Sequence, residues 1–233
     1  RSVIQAAAKQ DILLHHPYQS FEPIVQFIRE AAHDPDVVAI KMTIYRTGSN
    51  SELVRELMAA ALAGKQITVV VELMARFDEA NNANWAQYLE DAGAHVVYGV
   101  YGYKVHAKMA LVVRREQGNL KRYAHLGTGN YHQGNSRIYT DFGLITADEH
   151  ITADVNTLFM EITGLGQPIK LNKLYQSPFT LHKMVISSIQ REIEHAKAGK
   201  PARIIAKMNS LIETSVIEAL YAASAAGVQI DLI

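Results

Sequence analysis

The stretch that decides the fold is Tyr103-Lys104-Val105-His106-Ala107-Lys108-Met109-Ala110-Leu111-Val112-Val113. Its apolar residues recur at every second position: Val105, Ala107, Met109, Leu111 and Val113. This alternation predicts a β-strand with His106 and Lys108 side by side on its other face, their Cα atoms about 6.5–7 Å apart. A neutral imidazole is a nucleophile near neutral pH, and an adjacent ammonium stabilises oxyanion charge. The pair could act on one phosphoryl group; the structural alternative is a sheet histidine with local hydrogen bonds.

The composition limits the classes of function. The chain has 233 residues, 48% of them hydrophobic, which leaves room for one large domain or two smaller ones. It has no cysteine, and this excludes disulfides and thiolate chemistry. Lys plus Arg and Asp plus Glu both number 23, so no overall basic field attracts nucleic acid, and any polyanion needs a local basic cluster. No apolar run approaches the ~20 residues of a membrane-spanning helix.

Upstream of this stretch, strand and helix patterns alternate. Apolar runs predict strands at Val37–Tyr45, Gln66–Leu73 and His95–Val100, with helices from about Ser51 to Gly64 and Ala80 to Ala92 between them. The order β-α-β-α-β is typical of parallel strands with right-handed crossovers. We therefore expect an α/β fold with a mostly parallel mixed sheet flanked by helices.

Arginines follow two of these strands. Arg46 and Arg76 each lie just past a predicted strand, where open α/β sheets bind their ligands. A guanidinium is planar and can hold two phosphate oxygens at once. The alternative is a pair of surface arginines in salt bridges, but equivalent positions on two strands favour a site.

Downstream of the stretch, Gln117-Gly118-Asn119 predicts a hairpin turn. Gly127-Thr128-Gly129-Asn130 follows one strand later, where glycines let backbone N–H groups approach an anion and Asn130 adds a hydrogen-bonding side chain. Such a loop is a weak signal alone and gains weight from its position after His106. Tyr139 could stack on a nucleobase or simply pack against the next strand.

The end of the chain repeats its beginning. Ala202–Met208 parallels Val38–Met42, and the next helix and strand match those that follow Val38–Met42. The second copy stops inside its second strand, which predicts a fragment. We expect a first catalytic half at 1–165, a linker and connecting helix at 166–200, and the truncated start of a second half at 201–233.

The motifs resemble two related families. A duplicated α/β half with H-x-K and G-x-G-N resembles the phospholipase D superfamily, although its usual aspartate five residues after the lysine is Val113 here. The chain is more similar to the polyphosphate kinase family, the large bacterial type with a phospholipase-D-like core. This resemblance covers nearly the whole chain and rests on Leu13–Tyr18, Lys41–Arg46, Glu72–Glu79, Val105–Lys108, His125–Tyr131 and Tyr139–Asp141.

The resemblance implies reversible transfer of the ATP γ-phosphate to inorganic polyphosphate, with ATP and ADP as substrates and His106 as the phosphohistidine. Arg46 and Arg76 match positions associated with Mg²⁺ and phosphate, and Tyr139 matches a nucleotide-contacting position. Because a guanidinium has no lone pair for a metal, we expect both arginines to hold phosphate oxygens that in turn hold Mg²⁺. Lys108 and Asn130 are added on chemical grounds as stabilisers of the transferred group.

The resemblance also implies a homo-oligomeric full-length protein in the cytoplasm, with association with the membrane surface left open. We expect no nucleic-acid partner and no transmembrane segment, and little or no kinase activity from this chain alone. One alternative is a phosphodiesterase or nuclease of the phospholipase D superfamily. Another is a non-catalytic interaction module in which His106 and the arginines are structural.

Overall fold

A computed structural model describes residues 1–44, 51–72, 79–99, 102, 104–164 and 170–233. The chain divides into two compact units, Arg1–Lys173 and Leu174–Ile233, and each is described by itself. In the described part of the chain, no helix is both long and apolar enough to cross a membrane.

The first unit alternates strands and helices before it turns to hairpins. Its elements are α1 (Val3–Ala7), β1 (Ile12–His16), α2 (Glu22–His33), β2 (Val37–Ile44), α3 (Glu52–Leu62), β3 (Gln66–Val71), α4 (Glu79–Asp91), β4 (His95–Tyr98), β5 (Lys108–Glu116), β6 (Asn119–Gly127), β7 (Asp141–Thr146) and α5 (Glu149–Ile162). Local sequence sets several boundaries: Pro23 lies in the first turn of α2, and the Asp148 carboxylate caps the first N–H groups of α5.

These strands form one seven-stranded sheet in the order β1-β7-β6-β5-β2-β3-β4. The β2-β3 and β3-β4 pairs are parallel, and the other four pairs are antiparallel. The α/β class is therefore confirmed, whereas the expectation that parallel pairing predominates is wrong. The Gln117-Gly118 turn, where both residues have positive φ (51° and 80°), explains the antiparallel β5-β6 pair, because a two-residue turn can only join antiparallel neighbours. The other three antiparallel pairs join strands that are distant in the chain or linked by longer segments.

Helices cover both faces of the sheet. Ile40 and Met42 of β2 share one core with Phe27 of α2 and Leu57 of α3. On the other face the Lys41 Nζ atom lies 3.4 Å from the Asn156 Oδ1 atom of α5. Burial on both sides explains the nearly continuous apolar sequence of β2 and β3.

The alternation predicted around His106 is only partly correct. β5 begins at Lys108, so His106 lies in the segment that leads into the strand. Ala107 is exposed, and residues 108–112 are all buried because both faces of the sheet are covered there. The buried positions therefore form a continuous run instead of a single apolar face.

The second unit contains α6 (Leu181–Lys197), β8 (Arg203–Ala206), α7 (Thr214–Ala225) and β9 (Gln229–Leu232). β8 and β9 are parallel neighbours joined through α7, as β2 and β3 are joined through α3. The start of a second similar α/β half is thus present. The division at residues 165 and 200 stays a prediction; α6 lies in the second compact unit.

Candidate active site

A polar cleft lies where β2 and β3 end and β5 begins. It is lined by Thr43, Ile44, Val70, Glu72, Val105, Ala107, Lys108, Asn130 and Tyr131. Thr43 fixes the start of β5, since its Oγ1 atom accepts from the Met109 N–H (3.1 Å) and donates to the Met109 carbonyl (3.3 Å). These residues lie at the edge of the sheet where the sequence predicts ligand binding.

A buried carboxylate dominates the electrostatics of this cleft. Glu72 follows β3 directly, its backbone N–H donates to the Ile44 carbonyl (3.1 Å), and its side chain is 5% exposed. Its Oε1 atom lies 3.4 Å from Lys104 Nζ, and its Oε2 atom lies 3.5 Å from His106 Nδ1. Within the described residues neither oxygen accepts a hydrogen bond of normal geometry.

His106 presents its imidazole to solvent at this edge, with 65% of the side chain exposed. Lys108 is the neighbouring cation, but its Nζ atom donates to the His106 carbonyl (2.6 Å). Burial lowers the pKa of Lys108 to about 8; the Glu72 carboxylate opposes this shift and the Lys104 ammonium adds to it. The Lys108 side chain therefore contacts the backbone of His106, so a hydrogen bond links the two residues of the predicted pair.

Asn130 lines the same cleft, as the G-x-G-N loop suggested. Its Oδ1 atom is buried and has no hydrogen-bond partner among the described residues. Gly129 lies against Asp141: a Cβ atom built on Gly129 would lie 2.3 Å from Asp141 Oδ2. A side chain at this position would displace the Asp141 carboxylate, whose closeness to the loop is a feature that the sequence did not predict.

Two buried histidines, His125 and His16, lie close to the Gly127–Asn130 loop. The His125 Nδ1 atom is hydrogen-bonded to the Tyr131 hydroxyl (2.7 Å), and His16 Nδ1 donates to the Gln19 carbonyl (2.9 Å). Burial lowers the pKa of His125 to about 3, so this imidazole is neutral. A second small pocket is lined by both histidines together with Asn130 and Asp141. Sequence reasoning missed His125, although its place just before the glycine loop was a usable signal.

The other residues predicted for the site are Tyr139, Arg46 and Arg76. Tyr139 follows a short 3₁₀ turn at Asn135–Arg137 and is 62% exposed, so a planar ring can reach it. Arg46 and Arg76 lie outside the described residues. Over the described ranges, no group of three or more His, Asp or Glu side chains could hold a metal ion.

The fold is that of a phospholipase-D-like α/β protein. The structure of a phospholipase D family member, Nuc from Salmonella typhimurium, superposes with a TM-score of 0.52 over 69% of this chain and 98% of its own, at 14% identity. That likeness concerns the fold alone.

Comparison with family models gives a more specific assignment than the fold class. The family model described as polyphosphate kinase C-terminal domain 1 matches residues 2–168, and polyphosphate kinase C-terminal domain 2 matches residues 174–233. The chain belongs to the polyphosphate kinase family, and the resemblance seen in its motifs is confirmed.

Similar proteins agree with this assignment. Polyphosphate kinase from Neisseria meningitidis serogroup A is 81% identical over 232 residues, and that from Burkholderia multivorans is 59% identical over 236 residues. Each alignment covers 100% of this chain and 34% of the relative, so the chain spans about a third of their length. The crystal structure of polyphosphate kinase from Porphyromonas gingivalis has a TM-score of 0.90 at 39% identity, covering 99% of this chain and 38% of its own.

Proposed function

We propose that this chain supplies part of a site that reversibly transfers the γ-phosphate of ATP to inorganic polyphosphate through a phosphohistidine at His106. Membership of the polyphosphate kinase family supports ATP and inorganic polyphosphate as the substrates. The observation that carries the mechanism is the exposed His106 imidazole at the end of the sheet, with Glu72, Lys104 and Lys108 around it. A solvent-accessible nucleophile beside cations suits a polyanionic substrate.

The transfer divides into two displacements at phosphorus. In the first, a ring nitrogen of His106 bonds to the γ-phosphorus while the bond to the β–γ bridging oxygen breaks, and ADP leaves with that electron pair. In the second, a terminal oxygen of polyphosphate displaces the imidazole. Because the phosphoryl group stays on the protein between the steps, ADP can leave before the polymer end arrives.

The surrounding side chains would position the group and neutralise its charge, which is most of what phosphoryl transfer requires. We assign Lys108 and Asn130 to the oxygens of the transferred group, because both line the cleft. Arg46 and Arg76 are proposed for further phosphate oxygens, and Tyr139 for the nucleotide base. Mg²⁺ is placed with the substrate, held by nucleotide phosphate oxygens, and no step is assigned to it.

We further propose that the full-length protein is a homo-oligomer that acts in the cytoplasm. Because this chain spans about a third of its relatives, we propose that it has little or no kinase activity alone.

The test uses the full-length natural protein that carries this sequence. Incubation with γ-labelled ATP should give an acid-labile label that peptide mapping locates at His106, and His106→Ala should abolish it. His33→Ala is a matched control, because the His33 side chain is 64% exposed, close to that of His106, and should label normally. Label on another residue, or full labelling of His106→Ala, would reject the mechanism.

A further inference from the structure

Three residues that line the second pocket each bury a polar atom that has no hydrogen-bond partner among the described residues. The atoms are His16 Nε2, His125 Nε2 and Asn130 Oδ1. Both histidines are almost completely buried, at 3% and 2% exposed. A buried polar atom without a hydrogen bond is costly, so three such atoms around one pocket call for a shared partner.

The two imidazoles meet beside Gly143 of β7. A Cβ atom built on Gly143 would lie 2.9 Å from His125 Nε2 and 3.5 Å from His16 Nε2, so both nitrogens face the side of the glycine where a side chain would project. The two rings do not form a direct hydrogen bond with each other. Because the pocket is about the size of one water molecule, a water is the partner that both nitrogens can share.

The hydrogen bonds on the other side of each ring limit where its proton lies. The His16 Nδ1 atom is 2.9 Å from the Gln19 carbonyl, which can only accept, so Nδ1 carries the proton and Nε2 of the neutral ring is an acceptor. His125 Nδ1 is 2.7 Å from the Tyr131 hydroxyl. Burial lowers the pKa of His125 to about 3 and raises the pKa of Tyr131, so this ring is neutral and the hydroxyl keeps its proton.

We propose that His16 and His125 bind one buried water, and that this water fixes the side-chain amide of Asn130. The water accepts from the His125 Nε2–H and donates to His16 Nε2 and Asn130 Oδ1, and three hydrogen bonds are usual for a buried water. In this assignment the Tyr131 hydroxyl donates to His125 Nδ1. The other tautomer of His125 would leave three acceptors, and the two hydrogens of one water can serve only two of them.

The orientation of the Asn130 amide matters for the chemistry, and here the inference rests on the proposed function. Asn130 lines the cleft as well as the second pocket. Its Nδ2 atom, unlike Oδ1, is not among the buried unpaired atoms of the described residues, so it can donate to the oxygens of the transferred phosphoryl group. A reversed amide would present its carbonyl oxygen to a polyanion. His16 and His125 are therefore positioning residues that act through the water and Asn130.

The first measurement needs no variant. It is a crystal structure of the full-length natural protein at a resolution that shows ordered waters. We expect one water at hydrogen-bonding distance, about 2.7–3.2 Å, from His16 Nε2, His125 Nε2 and Asn130 Oδ1. A pocket without a water, a direct bond between the two imidazoles, a metal ion, or an Asn130 Oδ1 atom bonded elsewhere would overturn the inference, even if every variant failed to fold.

The second measurement compares two substitutions of His16. His16→Asn keeps a donor near the Nδ1 position for the Gln19 carbonyl and removes the acceptor for the water, whereas His16→Gln places an oxygen near the Nε2 position and keeps that acceptor. In single-turnover labelling of the full-length protein, His16→Asn should slow phosphoenzyme formation about 10-fold, the effect of losing one hydrogen bond to a charged group. His16→Gln should recover most of the wild-type rate, and both variants should bind ATP with wild-type affinity.

A double-mutant cycle with Asn130→Ala separates positioning of the amide from general support of the fold. Because that variant has no amide to orient, adding His16→Asn to it should slow labelling by less than about twofold. His15→Asn is the matched control on the same strand. The His15 ring stacks on Phe142 with 4.4 Å between ring centroids, and His15 is not among the described residues that line the second pocket, so its variant should label at the wild-type rate.

The outcomes distinguish this inference from the proposed function. If wild-type protein forms no phosphate on His106, the proposed function fails, and the role given to the Asn130 amide fails with it. If phosphohistidine forms but His16→Asn labels at the wild-type rate, only the inference fails. The inference also fails alone if His16→Asn slows Asn130→Ala as much as it slows wild type.

Discussion

Lys108 shows how one buried charge links stability to chemistry. Burial lowers its pKa from 10.5 to about 8, so the folded protein releases this proton more readily than the unfolded chain does. Between about pH 8 and pH 10.5 the unfolded state binds more protons at this site, and the free energy of unfolding should therefore rise with pH. A protonated ammonium, in contrast, is the form that can neutralise a transferred phosphoryl group.

We predict that stability and activity move in opposite directions as the pH rises through about 8. In the full-length natural protein, phosphoenzyme formation should decline over this range, because Lys108 loses its charge. Lys108→Arg should flatten that decline, since a guanidinium stays protonated. The measurement is single-turnover labelling of wild type and Lys108→Arg against pH at saturating ATP. Ionisation of ATP affects both proteins equally, so the difference between them reports the titration of Lys108.

Lys108→Met serves as the control for the stability arm. Urea unfolding at pH 7 to 10 should show that wild type gains stability relative to Lys108→Met as the pH rises. A constant difference across this range would show that Lys108 does not titrate with a lowered pKa.

Elements were more predictable from the sequence than their arrangement. Apolar runs and turn residues located the strands and helices of the first unit, including the turn at Gln117-Gly118. Sheet order was not predictable in the same way, because the neighbours of β5 are β2 and β6, one distant and one adjacent in the chain. Local periodicity carries no information on which distant strand will pair.

The same contrast between local motifs and long-range strand pairing applies to the candidate site. His106, Lys108 and Asn130 were identified from local motifs, and the structure brings Lys108 and Asn130 to one cleft beside His106. Glu72 stands out in the sequence only as part of a longer motif, because its closeness to His106 depends on the β2-β3 and β2-β5 pairings. Nothing in the sequence near Glu72 indicates that its carboxylate will be buried.

In β7, Gly143 packs against two buried histidines. A Cβ atom there would lie 2.9 Å from His125 Nε2 and 3.5 Å from His16 Nε2, and both imidazoles are buried. We predict that Gly143→Ala destabilises the protein by about 1–3 kcal/mol, the usual cost of overpacking a core. Chemical denaturation of the two proteins measures the difference.

Gly118→Ala separates this packing effect from backbone strain. Gly118 has φ of +80° and no atom within 4 Å of its added methyl group, so its cost is conformational, roughly 1 kcal/mol. If Gly143→Ala left stability unchanged, the close approach of the two histidines to β7 would be wrong.

The whole chain combines two units with very different cores. The first unit carries a core that spans α1 to β7. The second carries five buried apolar residues, Ile189, Ile193, Leu220, Ala223 and Val228, under a two-stranded sheet. Two strands and two helices bury little apolar surface, and so small a core supplies little stability.

We therefore predict that residues 1–173, expressed alone, unfold cooperatively in urea, whereas residues 174–233 alone are largely unfolded. Exposed apolar side chains in the second unit, such as Ile205 (61% exposed) and Ile212 (84%), add to its disadvantage because folding gains nothing from them. Circular dichroism of the two polypeptides against urea, with the complete 233-residue chain as reference, measures both. A cooperative transition of 174–233 at the same midpoint as 1–173 would show that the small core is sufficient, because the strand–helix–strand unit would then be an independent folding unit.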